Sequence, residues 1–87
     1  MHPTDLDLDP RLIIGRQIKS WRLRRHLSQA GLAHAAGIDQ ASISNYEAGR
    51  RDLRVSTMIR IADALNIRID ELLDQPTQRA VIDGDRR

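Results

Sequence analysis

The stretch from Leu27 to Glu47 constrains this chain more than any other. It holds two short apolar-periodic segments of about one helix each, broken by a single glycine at position 37. Ser28 stands where a helix N-cap is wanted, because its hydroxyl can accept from the free N–H groups of a first turn. The segment it opens continues to Ala36, with Leu32, Ala33 and Ala36 on one side. Gly37 then suits a left-handed C-cap, and Asp39 is a second N-cap. The next helix is expected over 40–48, with Ile43 and Tyr46 inward. Gln40, Ala41, Ser44 and Asn45 fall on the opposite, outward side. Two helices meeting at so tight a turn cannot bury their apolar stripes alone, so the flanking segments must supply the rest of the core.

Those segments are helical in pattern. Ile14, Ile18 and Trp21 recur at helical spacing in a first helix over 12–25, which places Trp21 in the core. Gly15 inside it costs about 1 kcal/mol relative to alanine and is explained if another element approaches closely there. A fourth helix runs from Val55 or Ser56 to Leu65, with Met58, Ile61, Ala62 and Leu65 as its stripe, and Asn66 ends it. A short fifth helix spans 69–73, capped by Asp70. The fold class is all-α, five helices in one domain over 12–74. Residues 1–11 read as a flexible acidic arm and 75–87 as a flexible tail, in which Ala80, Val81 and Ile82 offer a contact for a partner. The Asp5, Asp7 and Asp9 spacing is not a calcium loop: no glycine follows at the sixth position, and Arg16 replaces the closing glutamate.

Composition narrows the function. The 87 residues contain no cysteine, so neither a disulfide framework nor a thiolate metal site holds the fold. The three histidines, His2, His26 and His34, belong to no metal or nucleophile motif. No catalytic residue, metal or cofactor is therefore expected. No apolar run approaches the roughly 18 residues of a membrane span, and no signal segment opens the chain, so the expected location is the cytoplasm, away from membranes. The net charge of +2 hides a segregation: residues 11–60 hold ten basic side chains against three acidic ones. A basic middle between acidic ends suits a polyanion. With the outward polar face of the third helix, the layout is that of a helix-turn-helix whose second helix enters the major groove of double-stranded DNA.

The residues also carry a family resemblance. Leu27-Ser28-Gln29, Leu32-Ala33, Gly37-Ile38, Ile43-Ser44-Asn45-Tyr46-Glu47, Gly49-Arg50-Arg51, Ile61-Ala62-Asp63-Ala64-Leu65 and Glu71-Leu72-Leu73 together resemble the Cro/CI-type (XRE) helix-turn-helix regulators. The resemblance implies a compact lambda-repressor-like domain that binds operator DNA as a transcriptional regulator, a repressor or autoregulator. Leu53 and Arg54 stand where that family often carries proline and serine. A loop without that proline is similar to the controller proteins of restriction–modification systems. The run 40–47 is also similar to the antitoxins of toxin–antitoxin pairs, which bind a protein toxin as well as DNA. In that case the C-terminal region would receive the protein partner.

On this reading Gln40, Ala41, Ser44 and Asn45 read bases. Gln and Asn can pair with adenine N6 and N7, and the Ala41 methyl can meet that of thymine, so A·T pairs matter in the half-site. By resemblance, Gln29 bonds a phosphate and braces Gln40, and Arg50 and Arg51 touch the DNA backbone. Arg16, Arg22 and Arg54 are further phosphate candidates; six engaged charges would give log K against log salt a slope of about −5. The resemblance also pairs Arg22 with Glu47, which keeps a carboxylate near DNA neutralised. One domain reads few base pairs, so a homodimer on a palindromic operator is expected, with half-sites about 34 Å apart. Ile67, Ile69, Leu72 and Leu73 are the expected interface.

Overall fold

Asp9 opens the first helix. Its carboxylate accepts from the Arg11 backbone N–H at 3.0 Å, and Pro10 takes the first helical position, where its missing N–H is harmless. The Arg11 guanidinium also bonds this carboxylate and holds it below its ordinary titration range. Helix α1 therefore spans Pro10–Arg24 and starts two residues before the expected boundary at Leu12. The structure, a computed structural model, describes residues 9–74. The rest of the expected arm and the tail, with Ala80, Val81 and Ile82, lie outside the described residues.

Four more helices follow among the described residues: α2 Gln29–Ala36, α3 Gln40–Glu47, α4 Val55–Leu65 and α5 Ile69–Leu73. The local signals account for most of their ends. Ser28 Oγ accepts from Gly31 N at 2.9 Å, and Asp39 Oδ1 accepts from Ser42 N at 2.7 Å. Gly37 sits at φ 69°, the left-handed conformation that ends α2. Asn66 ends α4 in the same conformation, at φ 58°. At α5 the expected cap is corrected. Glu71 reaches back to accept from Arg68 N at 2.9 Å, while Asp70 pairs with the Arg68 guanidinium at 3.0 Å. Asp70 lies inside the helix, two residues past its N-cap Arg68, whereas Glu71 stands at the third position, the one that can fold back on the entering backbone.

The core forms where the five helices converge. Helix α1 packs across α3 and α5 and touches α4; α2 packs on α3 and α4; and α4 meets α5. Ile18, Leu32, Ile43, Ile61, Leu65 and Leu72 have no solvent access, each contributing about 1.5–3 kcal/mol by its burial. Trp21 is only half-buried at the edge of this cluster. Arg24 and Arg25 lie over its ring, 4.8 and 5.3 Å from the centroid. Of the residues expected at a dimer interface, Leu72 is wholly buried and Ile67 packs against the core. Among those four, Leu73 is the large exposed one, 46% accessible.

Gly15 marks the closest approach. A Cβ there would run into the Tyr46 carbonyl oxygen and lie 2.9 Å from that of Glu47. Both obstacles are backbone, which cannot swing aside. Helix propensity alone would make Gly15→Ala stabilising by about 1 kcal/mol. The expected outcome is the reverse, a loss of about 1–3 kcal/mol from overpacking, read as a lower midpoint in urea unfolding.

Candidate nucleic-acid interface

A buried ion pair fixes the third helix. Arg22 Nε and Nη2 donate to the two Glu47 carboxylate oxygens at 2.6 and 3.1 Å, and Arg22 Nη1 donates to the Leu27 carbonyl at 2.8 Å. The side chains are 9% and 4% exposed. The guanidinium is thus turned inward and its fork is taken, so Arg22 is removed from the phosphate candidates and kept as the structural partner of Glu47. Residues 22 and 15 are seven apart, two turns on one face of α1. The glycine that admits the α3 backbone and the arginine that grips its last residue therefore face it together.

Gln29 also differs from expectation. Its Nε2 donates to Glu47 Oε1 at 3.1 Å, so it braces the end of α3 and not Gln40 at its start. The physical reason is desolvation: a buried carboxylate needs every donor in reach, whereas Gln40 is exposed and can be solvated. Arg22 of α1 and the Gln29 amide of α2 thus meet on one residue of α3, with Arg22 itself held by the Leu27 carbonyl.

The polar face of α3 is graded in exposure. Gln40 and Ala41 are exposed in the first turn; Ser44 and Asn45 are half-buried one turn on. The loop after α3 folds back on it. Arg50 Nη1 donates to Asn45 Oδ1 at 3.0 Å. Arg51 Nη1 donates to Ser42 Oγ at 3.1 Å, and its guanidinium lies 5.9 Å from the Tyr46 ring centroid. Ser42 itself is buried and donates its hydroxyl to Asp39 Oδ2 at 3.1 Å. Hydrogen bonds from Ser42, first from its backbone and then from its hydroxyl, hold the Asp39 carboxyl below its ordinary range, with the Arg51 charge helping. Arg16 and Arg54 are exposed, Arg16 on α1 and Arg54 at the N-cap of α4.

Two positioning residues escaped the sequence reading. Arg25 Nε donates to the Leu65 carbonyl at 2.7 Å, at the C-terminal end of α4 where carbonyls lack helical partners. Gln17 is buried and its Nε2 donates to the Glu71 carbonyl at 3.3 Å, tying α1 to α5. The available signal for Gln17 was its place on the Ile14–Ile18–Trp21 stripe. Among the described residues no group of three or more His, Cys, Asp or Glu side chains is placed to share a metal ion, and no helix is long and apolar enough to cross a membrane.

Two helices set by a left-handed turn, an outward polar face on the second and a basic surround define a helix-turn-helix DNA-binding regulator. The chain belongs to the helix-turn-helix family, whose model it matches over residues 18–72. It is 33% identical over 66 residues to the control protein C.SmaI of Serratia marcescens, covering 76% of this chain and 79% of that protein. It is 39% identical over 61 residues to the antitoxin HigA1 of Mycobacterium tuberculosis, covering 68% of this chain and 41% of that protein. The chain thus spans well under half the length of that antitoxin. The crystal structure of the restriction-modification controller protein C.AhdI from Aeromonas hydrophila superposes with a TM-score of 0.70 at 29% identity, covering 71% of this chain and 94% of that one.

Two outcomes test the framework. Glu47→Ala strands the buried Arg22 charge and is expected to cost about 3–5 kcal/mol, whereas Gln29→Ala removes one hydrogen bond and costs about 1 kcal/mol; equal losses in chemical denaturation would contradict the order. The Asp39 cap acts through its ionised form. Its folded pKa is depressed, so its contribution is present above the ordinary value of 3.8 and fades as pH falls through the lower folded value. Asp39→Ala should therefore lower Tm at neutral pH, with the gap to the unaltered protein closing below about pH 4. A gap constant across the titration would show that the charge has no part in it.

Proposed function

We propose that this regulator acts as a homodimer on a palindromic operator, in the manner of a small controller protein that represses or autoregulates. The observation that carries the reading is the pinned third helix: it offers Gln40 and Ala41 exposed in its first turn, with Ser44 and Asn45 behind them. A helix held this firmly presents its readers to base edges without further ordering. Gln40 and Asn45 would take adenine, Ala41 a thymine methyl, and Ser44 either type of base. Arg16 and Arg54 would meet phosphates, fixing register without reading sequence. Leu73 on α5 is the exposed apolar residue that a second copy would cover.

The controller reading is supported by the likeness to C.SmaI over 79% of that protein and by the 94% coverage of C.AhdI. The 39% identity to HigA1 favours a second reading, an antitoxin that binds a protein partner through its C-terminal region as well as DNA. The two differ in what co-purifies: an antitoxin brings a second chain from its native host, a controller brings none.

Selection of bound sequences from random duplexes provides the test. The unaltered protein is expected to enrich a two-fold symmetric site with A·T pairs in each half. Gln40→Ala and Asn45→Ala should each relax the preference at one position per half-site, by about 1–3 kcal/mol of discrimination. If both variants enrich the same site with the same affinity, the third helix does not read the bases.

A further inference from the structure

We infer that Arg50 is a specificity-determining residue that acts through Asn45: its guanidinium fixes which way the Asn45 amide faces the DNA. This deepens the base-reading role proposed above and rests on it. An asparagine amide carries an acceptor oxygen on one side and a donor nitrogen on the other, and a half-turn about its last bond exchanges them. Read from a base edge, the two orientations call for different bases. Adenine offers a donor at N6 beside an acceptor at N7, and only one orientation of the amide matches both. A free asparagine side chain must be ordered into that orientation when DNA binds.

Arg50 biases the choice. Its Nη1 donates to Asn45 Oδ1 at 3.0 Å, and a guanidinium has no acceptor atom. The amide nitrogen cannot take the oxygen's place there without setting donor against donor. The bond uses one of the two acceptor sites of Oδ1. The other, and both Nδ2 hydrogens, stay available, which is what a paired contact with adenine requires. The neighbouring side chains make the arrangement selective. Asn45 is half-buried on α3, while Arg50 is exposed in the loop just past its end. The backbone joins them as well: Arg50 N donates to the Asn45 carbonyl at 3.0 Å. Arg51 is held separately, on Ser42 and over Tyr46, so Arg50 is the loop arginine that addresses a base-reading residue.

A phosphate contact and an orienting contact predict different things of the same arginine. Losing a phosphate contact weakens binding about equally on all sequences and makes the salt dependence shallower by about one unit of slope. Losing an orienting contact weakens discrimination at the base pair that Asn45 reads and leaves other pairs alone.

The experiment uses the full chain and duplex DNA selected by it from a random library. Each base pair of the half-site is then substituted in turn, and affinity is measured for the unaltered protein, Asn45→Ala, Arg50→Ala and the double variant over a salt series. Asn45→Ala identifies the pair that residue reads. Arg50→Ala is expected to lose about tenfold of the discrimination at that same pair, with the other pairs unchanged and the double variant no worse there than Asn45→Ala. The inference is overturned if Arg50→Ala weakens all duplexes alike, keeps every base preference and flattens the salt slope. It is also overturned, together with the role given to Asn45, if Asn45→Ala alters no base preference. That second outcome is recognisable from the Asn45 variant alone.

Discussion

The carboxylate of Glu47 is the point on which the domain turns. With its side chain 4% exposed, it sits where an unpaired charge is untenable. Arg22 meets it with a two-pronged fork, Gln29 adds a third donor, and the Leu27 carbonyl holds the arginine from behind. Buried ion pairs often contribute no more stability than a well-packed apolar substitute. What this one supplies is geometry. Ile43 and Tyr46 bury α3 but tolerate small slips and rotations, because apolar contact is not directional. A paired fork tolerates neither. Gly15 completes the device two turns earlier on α1, by letting the α3 backbone come within contact of the helix that carries Arg22.

The parts of this fold legible in the sequence are those whose partners lie three or four residues away. Ser28, Asp39 and Gly37 act on their own turns, and each does what its chemistry demands. The apolar stripes were legible for a similar reason, since helical periodicity is local. Asp9-Pro10 carried the same kind of signal, an N-cap followed by proline at the first helical position. The acidic run before it disguised it as part of an arm. Partner choice across the fold was not legible. Gln29 has several polar residues of α3 to choose among, and the spacing of residues says nothing about which is buried. Burial decides, and burial belongs to the assembled core. Arg22 with Glu47 was legible through family resemblance alone, because no local rule joins residues twenty-five apart.

The basic middle of the chain divides once folded. Counted as charge, its arginines look interchangeable. In space, Arg22 is spent on Glu47, Arg25 bonds the end of α4, and Arg24 lies over Trp21. Arg50 and Arg51 fold back on α3, and Arg16 and Arg54 remain exposed on the flanking helices. A count of basic residues therefore overstates the direct contacts this domain can make with a phosphate backbone.

It does not overstate the field. A guanidinium stays protonated in proteins, so hydrogen-bonding it leaves its charge in place. Arg50 and Arg51 still raise the potential around α3 and still steer an anionic duplex toward it. Attraction at a distance and recognition at contact are thus separable in the same side chains. On the function proposed above, Arg16 on α1 and Arg54 at the N-cap of α4 would set register, while Arg50 and Arg51 stay on α3 side chains. If Asn45 reads a base as proposed, a substitution of Arg50 would alter preference at that base pair as well as the field around α3.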